Sequence, residues 1–283
     1  MSEVATRYSA LPPAGWYSDP WRVTQWRWWD GATWTGYTER FYVPVAGYVP
    51  APTVVDESRP IRAGWTAILG MVAGVALSVL VYVVLRLLGV PGNNPILVLL
   101  MQFGLWTGLL GACVVAVRRH GSGRLRDLGL KARWIDLPLG LGFGVASLIG
   151  VGMVALAIKA IGIEPHRESL LEPMPRNAVT VVVVLFIAVI GAPFVEELFF
   201  RGLLMSGLVA RFGVALGIIF QAIVFGLVHL GPTDARGNLG VFLLIAPVGA
   251  VLGVLRFGYK RLGTGMLTHA TYNAIIMAVA LLR

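Results

Sequence analysis

The chain has 283 residues, of which 57% are hydrophobic and only 13% charged, and its mean hydropathy is +0.77. Soluble domains usually carry about 25% charged residues, so this composition argues against a soluble protein and for a membrane protein. The formal net charge of +9 would also fit a nucleic-acid-binding protein. The cations instead cluster in loops between apolar stretches, so we expect the lipid bilayer as a partner and no nucleic acid. The single cysteine, Cys113, excludes an intrachain disulfide.

The N-terminal part of the chain is polar and aromatic. Residues 1–10 are predicted to be disordered, and residues 11–40 form a compact Trp-rich unit. Within that unit, WRWWDGATWT predicts two strands joined by a turn at Asp30-Gly31. Residues 41–63 are rich in proline and predict a semi-extended linker.

The Trp-rich unit also carries a recognisable pattern. GWYSDP is followed by RWWDGATWT, and this order resembles a short Trp-rich domain of unknown function at the N-termini of actinobacterial membrane proteins. The resemblance implies a domain boundary and no activity. We expect the Trp rings to hold a very small domain together. The alternatives are a surface for a partner, whose identity is unknown, and an anchor at the membrane interface.

The rest of the chain, residues 64–283, predicts an all-α polytopic membrane domain. A membrane helix needs about 20 apolar residues, and stretches of this kind predict about seven transmembrane helices, at 64–88, 95–117, 137–162, 178–195, 214–230, 239–256 and 265–282. Cations fill the loop that follows the second stretch, which predicts a multi-pass protein of the cell membrane with a cytoplasmic N-terminus.

Residues 194–211 are harder to assign because they are apolar yet charged and follow Pro193. They either continue the fourth span as a kinked helix or form a short interfacial or re-entrant helix.

That ambiguous segment holds the first candidate site residues, Glu196, Glu197 and Arg201. Ionisable groups within membrane segments are costly and are functional candidates by default. On a helix, Glu197 and Arg201 share a face, so the arginine can hold that carboxylate ionised. Glu196 points about 100° away and is free for other work, such as general base catalysis. Taken alone, the motif also fits an ion pair at a helix end.

Two later apolar segments carry the remaining candidates. Phe225 and His229 are four residues apart, as are His269 and Asn273, so each pair lies on one helical face. A single histidine or asparagine on such a helix often serves packing or interhelical hydrogen bonding. By helical rise, His229 and His269 lie near opposite ends of their spans, so they meet only if helices tilt, break or begin at different depths.

The order E-E-x-x-x-R, F-x-x-x-H and H-x-x-x-N on successive apolar segments resembles the CPBP family of intramembrane proteases. That family includes CAAX prenyl endopeptidases and bacteriocin-processing or self-immunity proteins. The resemblance spans residues 130–283 and implies an endopeptidase that cleaves a membrane-associated peptide or protein. It implies that Glu196 and His229 activate the attacking water.

The same resemblance assigns the other positions. His269 and Asn273 would polarise the scissile carbonyl and stabilise the oxyanion. Glu197 and Arg201 would form the orienting pair, and Phe225 would line the site wall against the substrate.

Two questions stay open at this point. Glu196, His229 and His269 could bind a divalent metal such as zinc with one position open for water, although H-E-x-x-H is absent; activation of water by the Glu/His pair without metal fits equally well. The alternatives to a protease are a non-catalytic immunity or scaffold protein and a proton-coupled transporter.

Overall fold

The computed structural model describes residues 12–20, 26–39, 58–163, 175, 177–231 and 234–282, with the side chains of 36–39 and 58–62 left aside. The chain divides into two compact units, Met1–Val55 and Asp56–Arg283. The predicted disorder of residues 1–10 and most of the predicted linker lie outside the described residues.

The N-terminal unit contains an antiparallel sheet with strand order β1-β2-β3. The strands are β1 (Gly15–Ser18), β2 (Trp26–Trp29) and β3 (Trp34–Glu39). The predicted hairpin is confirmed, since β2 pairs with β3 and the Asp30 carboxylate accepts the backbone N–H of Thr33 at 2.6 Å in the turn. Strand β1 adds a third member that the hairpin pattern did not predict.

Tryptophan rings and one ion pair hold this small sheet together. Trp16 stacks edge-on against Trp28 with ring centroids 5.5 Å apart, and Trp29 does the same with Trp34 at 5.3 Å. Beside them, the Arg27 guanidinium lies 3.0 Å from the buried Asp19 carboxylate. Offset and edge-on aromatic pairs add to the burial of apolar area, which suits a unit too small for an ordinary core.

All of the predicted apolar stretches are helical in the second unit. Its helices are α1 (Ser58–Leu87), α2 (Pro95–His120), α3 (Asp136–Ala160), α4 (Ala178–Phe212), α5 (Val214–Leu227), α6 (Ala235–Tyr259) and α7 (Gly263–Leu281). Helix α1 begins within the stretch predicted as linker, although its apolar span begins at Ala63.

Within the described residues, five helices, α1 to α4 and α6, are long and apolar enough to cross a membrane. Helix α5 has 14 residues and so rises only about 21 Å, less than the roughly 30 Å of a bilayer core. Helix α7 is interrupted by polar residues and is not among the five. The chain is therefore a multi-pass membrane protein in which two of the seven predicted spans are shorter or more polar helices.

Helix α4 runs well past the predicted end of the fourth span. It is continuous from Ala178 to Phe212, so the alternative in which the span continues as one helix is the observed one. Two stretches of it, Phe186–Gly191 and Glu197–Leu204, adopt the wider π-helical form. Such turns are rare and often mark functional positions.

Close helix contacts depend on glycine. A Cβ on Gly108 of α2 would overlap the backbone of α1 at Gly74, and a Cβ on Gly140 of α3 would overlap Leu267 of α7. Small residues let membrane helices approach closely. The packing brings α7 against both α3 and α4, which places His269 beside the second π stretch and Asn273 beside the first.

A buried carboxylate fastens the loop between α2 and α3 to the turn between α6 and α7. Asp136 Oδ1 accepts hydrogen bonds from the Thr264 hydroxyl at 2.6 Å and from Arg261 Nε at 2.8 Å. Backbone bonds join the same two segments, because the N–H of Leu262 donates to the Gly129 carbonyl at 2.9 Å. The start of α7 is thus fixed by the loop between α2 and α3.

Candidate active site

The centre of the site is an ion pair within the second π stretch of α4. Arg201 Nη1 lies 2.9 Å from Glu197 Oε1, and both side chains are 0% exposed. The other guanidinium nitrogen, Nη2, donates to the Gly249 carbonyl of α6 at 3.2 Å. The guanidinium also lies over the Phe225 ring, with Cζ 4.1 Å from the ring centroid. The pair predicted from the four-residue spacing is therefore present and is fully enclosed by protein.

Helix α7 brings His269 to the same carboxylate. His269 Nδ1 lies 3.4 Å from Glu197 Oε1. One helical turn earlier, a Cβ on Gly265 would lie only 2.9 Å from Glu197 Oε2. The α7 backbone therefore approaches the carboxylate so closely that a side chain at position 265 would displace it.

Phe225 separates the two histidines. Its ring centroid lies 4.6 Å from that of His229 and 6.0 Å from that of His269. The sequence suggested that the two histidines lie at different depths, but the structure brings both against one buried ring. They meet there because α5 is short and ends at Leu227, just before His229.

The hydrogen bond of His229 defines its tautomer. His229 Nδ1 lies 2.6 Å from the Phe225 carbonyl oxygen. A carbonyl can only accept, so Nδ1 carries the proton and the lone pair of the neutral ring is on Nε2. Since the residue is exposed in the folded chain, that nitrogen is open to a substrate or water.

Glu196 occupies a different environment from its neighbour. It ends the short α-helical stretch between the two π stretches and is half-buried. Among the described residues, its Oε2 is buried without a hydrogen-bond partner. The structure thus brings Glu197, and not Glu196, into contact with Arg201 and His269. Glu197 Oε2 also lacks a hydrogen-bond partner among the described residues, so the two carboxylates differ in their ion pair and their exposure.

Asn273 reaches the first π stretch of α4. Its amide Nδ2 donates to the Ala188 carbonyl at 2.7 Å, a group inside Phe186–Gly191. This bond joins α7 to α4 one turn beyond His269. The role at an oxyanion that the resemblance implies for Asn273 stays a prediction, and it would use the second N–H of the same amide.

Two polar residues of the site were not predicted. Gln221 is fully buried and donates from Nε2 to the Gly249 carbonyl at 2.8 Å, the same oxygen that Arg201 binds. Asn238 forms a reciprocal pair with the Gly231 backbone, at 3.1 Å in each direction, and so holds the chain just after His229. For Gln221, the sequence did contain a signal, namely an amide side chain within an apolar run, four residues before Phe225.

The expected metal ligands do not form a cluster in the part of the chain that the structure describes. No group of three or more His, Cys, Asp or Glu side chains there is arranged to hold a metal ion. Glu196, His229 and His269 are therefore not arranged as a zinc site among the described residues.

Comparisons with known proteins find two family matches. Residues 14–54 match a protein family of unknown function, DUF2510, which extends the Trp-rich unit into the predicted linker. Residues 178–275 match the family described as Rce1-like, type II CAAX prenyl endopeptidase, and this range contains every candidate site residue. No curated protein and no solved structure matches the chain. The second unit thus contains a domain, residues 178–275, that matches the Rce1-like family model, and residues 14–54 match DUF2510.

Proposed function

We propose that this protein is an intramembrane endopeptidase that hydrolyses a peptide bond in a membrane-associated peptide or protein. The observation that carries the proposal is the grouping around Phe225, where two histidines flank the ring and the buried Glu197–Arg201 pair lies against it. The domain match gives the reaction class. A buried ion pair, two histidines and an unpaired carboxylate together supply what water activation and oxyanion stabilisation require.

The two glutamates have separate roles in this mechanism. Arg201 pairs with Glu197, and Glu197 in turn orients His269 through the contact at Nδ1. Glu196 has no ion pair among the described residues and is half-buried, so we assign it as the carboxylate that accepts a proton from water. His229 presents the lone pair of Nε2 and shares the activated water with Glu196.

The reaction then proceeds by direct attack of water. As the water oxygen bonds to the scissile carbonyl carbon, its proton passes to Glu196. His269 donates to the oxyanion from Nε2 when its ring carries a second proton there, beside the Nδ1 proton that faces Glu197, and the second amide N–H of Asn273 donates to the same oxyanion. When the C–N bond breaks, Glu196 returns the proton to the leaving amine. No covalent enzyme intermediate is needed.

The substrate class follows from where the site lies. Helix α4 is long and apolar enough to cross a membrane, and it carries both glutamates. The substrate must therefore reach them from the bilayer or its surface. A peptide with a lipid or apolar anchor is favoured over a freely soluble one. A C-terminal prenylated substrate is the specific form suggested by the description of the matching family.

The test uses the full chain reconstituted in phospholipid vesicles. We would present one peptide in three forms, namely unmodified, S-prenylated near its C-terminus, and joined to an apolar anchor, and identify new termini by mass spectrometry. The expected result is cleavage of at least one anchored form by the wild type and none by His229→Gln. A parallel assay with a metal chelator added to the vesicles checks whether turnover depends on a bound metal.

Equal cleavage by the wild type and His229→Gln would contradict the proposed site. Absence of cleavage in every peptide, with the wild-type protein folded, would favour the non-catalytic scaffold or immunity protein. Movement of protons across the vesicle membrane without any cleavage would favour the transporter.

A further inference from the structure

We propose that the loop between α2 and α3 is a binding surface for the headgroups of anionic phospholipids. We name residues 118–135, which comprise the last three residues of α2 and the loop that follows, the basic loop. Its cations are all exposed, at Arg118, Arg119, Arg124, Arg126, Lys131 and Arg133. In the described part of the chain, none of these side chains has a carboxylate within ion-pair distance. This positive face is therefore available to a ligand.

The two acidic residues of this region, Asp127 and Asp136, already have hydrogen-bond partners. The Asp127 carboxylate accepts from the Ser122 hydroxyl at 2.8 Å and from the Ser122 backbone N–H at 2.6 Å. The hydrogen bond from the Ser122 hydroxyl, followed by the one from its backbone N–H, lowers the pKa of Asp127. Asp127 therefore remains an anion whose oxygens are bound within the loop. Asp136 is buried and binds Arg261 and Thr264. The charge of Arg124 also lowers the pKa of Asp127, so residues 118–135 keep six cations against one exposed carboxylate.

The basic loop is an ordered surface and not a loose tail. Besides the bond from Leu262 to Gly129, the N–H of Gly263 donates to the Lys131 carbonyl at 3.1 Å. Arg256 Nη2 donates to the Leu128 carbonyl at 3.3 Å. The loop backbone is therefore fixed by α6 and α7, and the entropy lost when a ligand binds its cations is correspondingly reduced.

The position of the loop indicates which anion it meets. It joins the end of α2 to the start of α3, and both helices are long and apolar enough to cross a membrane, so the loop lies at the membrane boundary. Trp134, next to the last cation, is 82% exposed. Tryptophan with arginine and lysine at a span boundary is suited to the headgroup layer, and clustered cations there attract anionic lipids.

The inner side of the same loop contacts the site. Leu128 packs over Gly202, where a Cβ would meet the Leu128 Cβ at 3.0 Å. Gly202 directly follows Arg201 in the second π stretch. A lipid that holds the basic loop in place is therefore expected to stabilise the whole second unit, whether or not the protein is a protease.

Lipid binding can be measured on the full chain in detergent by native mass spectrometry. We would titrate phosphatidylglycerol and phosphatidylcholine with identical acyl chains. The test variant carries Arg119→Gln, Arg124→Gln and Arg126→Gln. A matched control carries Arg86→Gln, Lys159→Gln and Arg211→Gln, which removes the same amount of charge from exposed residues elsewhere.

The expected result is preferential retention of phosphatidylglycerol by the wild type and the control, and a loss of about tenfold or more in the test variant. Equal loss in the test variant and the control, or equal retention of the two lipids by the wild type, would overturn the proposal. Displacement of phosphatidylglycerol by millimolar inorganic phosphate would also overturn it, since the ligand would then be phosphate and not a lipid. If the test variant does not fold, Lys131→Gln with Arg133→Gln is measured under the same criteria.

Discussion

At the scale of single residues, the enclosed Glu197–Arg201 pair is the feature with the largest energetic consequence. Two charges that leave water lose several kcal/mol of hydration each, and only mutual contact and further hydrogen bonds offset that loss. Arg201 satisfies this requirement through Glu197, the Gly249 carbonyl and the Phe225 ring. Removal of either charge leaves the other buried without compensation.

Arg201→Ala is therefore expected to lower the free energy of unfolding by about 3–5 kcal/mol. Arg211→Ala is the matched control, because it removes an exposed arginine from the same helix. Unfolding of the detergent-solubilised protein gives both values. An unchanged midpoint in Arg201→Ala would mean that the pair is hydrated in solution.

A second residue-scale prediction concerns Gly265. Gly265→Ala places a Cβ about 2.9 Å from Glu197 Oε2, so the carboxylate must move away from its place beside His269. Misplacement of catalytic groups by about 1 Å can cost up to a hundredfold in rate, and we expect a tenfold to hundredfold loss of turnover. Gly258→Ala in α6 is the control, because a Cβ there meets nothing within 4 Å. Equal turnover in the two variants would show that the carboxylate position does not matter.

The sequence predicts part of the site at this scale. Spacing of four residues correctly placed Glu197 with Arg201, because that contact lies within one helix. The contact of His269 with Glu197 joins two helices, and it depends on how α7 packs on α4, which no local spacing encodes. Gln221 and Asn238 belong to no repeated pattern, so their hydrogen bonds became visible only in the fold.

At the scale of secondary structure, apolar length was sufficient to find the helices. It left the end of α4 open, because Glu196, Glu197 and Arg201 fitted either a continued fourth span or a short interfacial or re-entrant helix. The helix continues because Glu197 and Arg201 neutralise each other inside the protein. The π stretches have no local signal, since they are supported from outside: Trp106 packs directly on Gly191, and Asn273 binds the Ala188 carbonyl.

At the same scale, we predict the effect of removing the Asp136 carboxylate, which binds Arg261 and Thr264 at the start of α7; we call this set of bonds the Asp136 clamp. Asp136→Asn weakens the bonds to Arg261 and Thr264, and we expect a loss of about 1–3 kcal/mol. Hydrogen exchange should then accelerate at the amides of Leu262 and Gly263, which bond to the basic loop. Asp127→Asn, in the same loop but exposed, should leave those two amides protected. Unchanged protection in Asp136→Asn would show that the clamp is dispensable.

At the scale of the whole molecule, the chain combines a Trp-rich unit and a membrane unit that meet different requirements. The first is held by aromatic pairs and the Asp19–Arg27 ion pair, and the second by apolar helices with glycine contacts. All candidate site residues belong to the second unit, Asp56–Arg283. The chemistry is therefore expected to be independent of the first.

Deletion of residues 1–55 tests that independence. We expect the truncated protein to insert, to keep its unfolding midpoint and to cleave a short anchored peptide at the rate of the full chain, because α1 begins at Ser58. The measurement is peptide turnover by both proteins after purification in the same detergent. Loss of both folding and turnover would mean that the Trp-rich unit is part of the catalytic structure.

The central claim is that the adjacent glutamates divide the work, with Glu196 as the base and Glu197 as the partner of Arg201. The most direct test measures turnover and unfolding midpoint together for Glu196→Gln and Glu197→Gln. The account predicts that Glu196→Gln keeps its midpoint and loses about a hundredfold or more of turnover. It predicts that Glu197→Gln loses stability as well, because Arg201 then lacks its counter-ion. Turnover retained in Glu196→Gln would contradict the account.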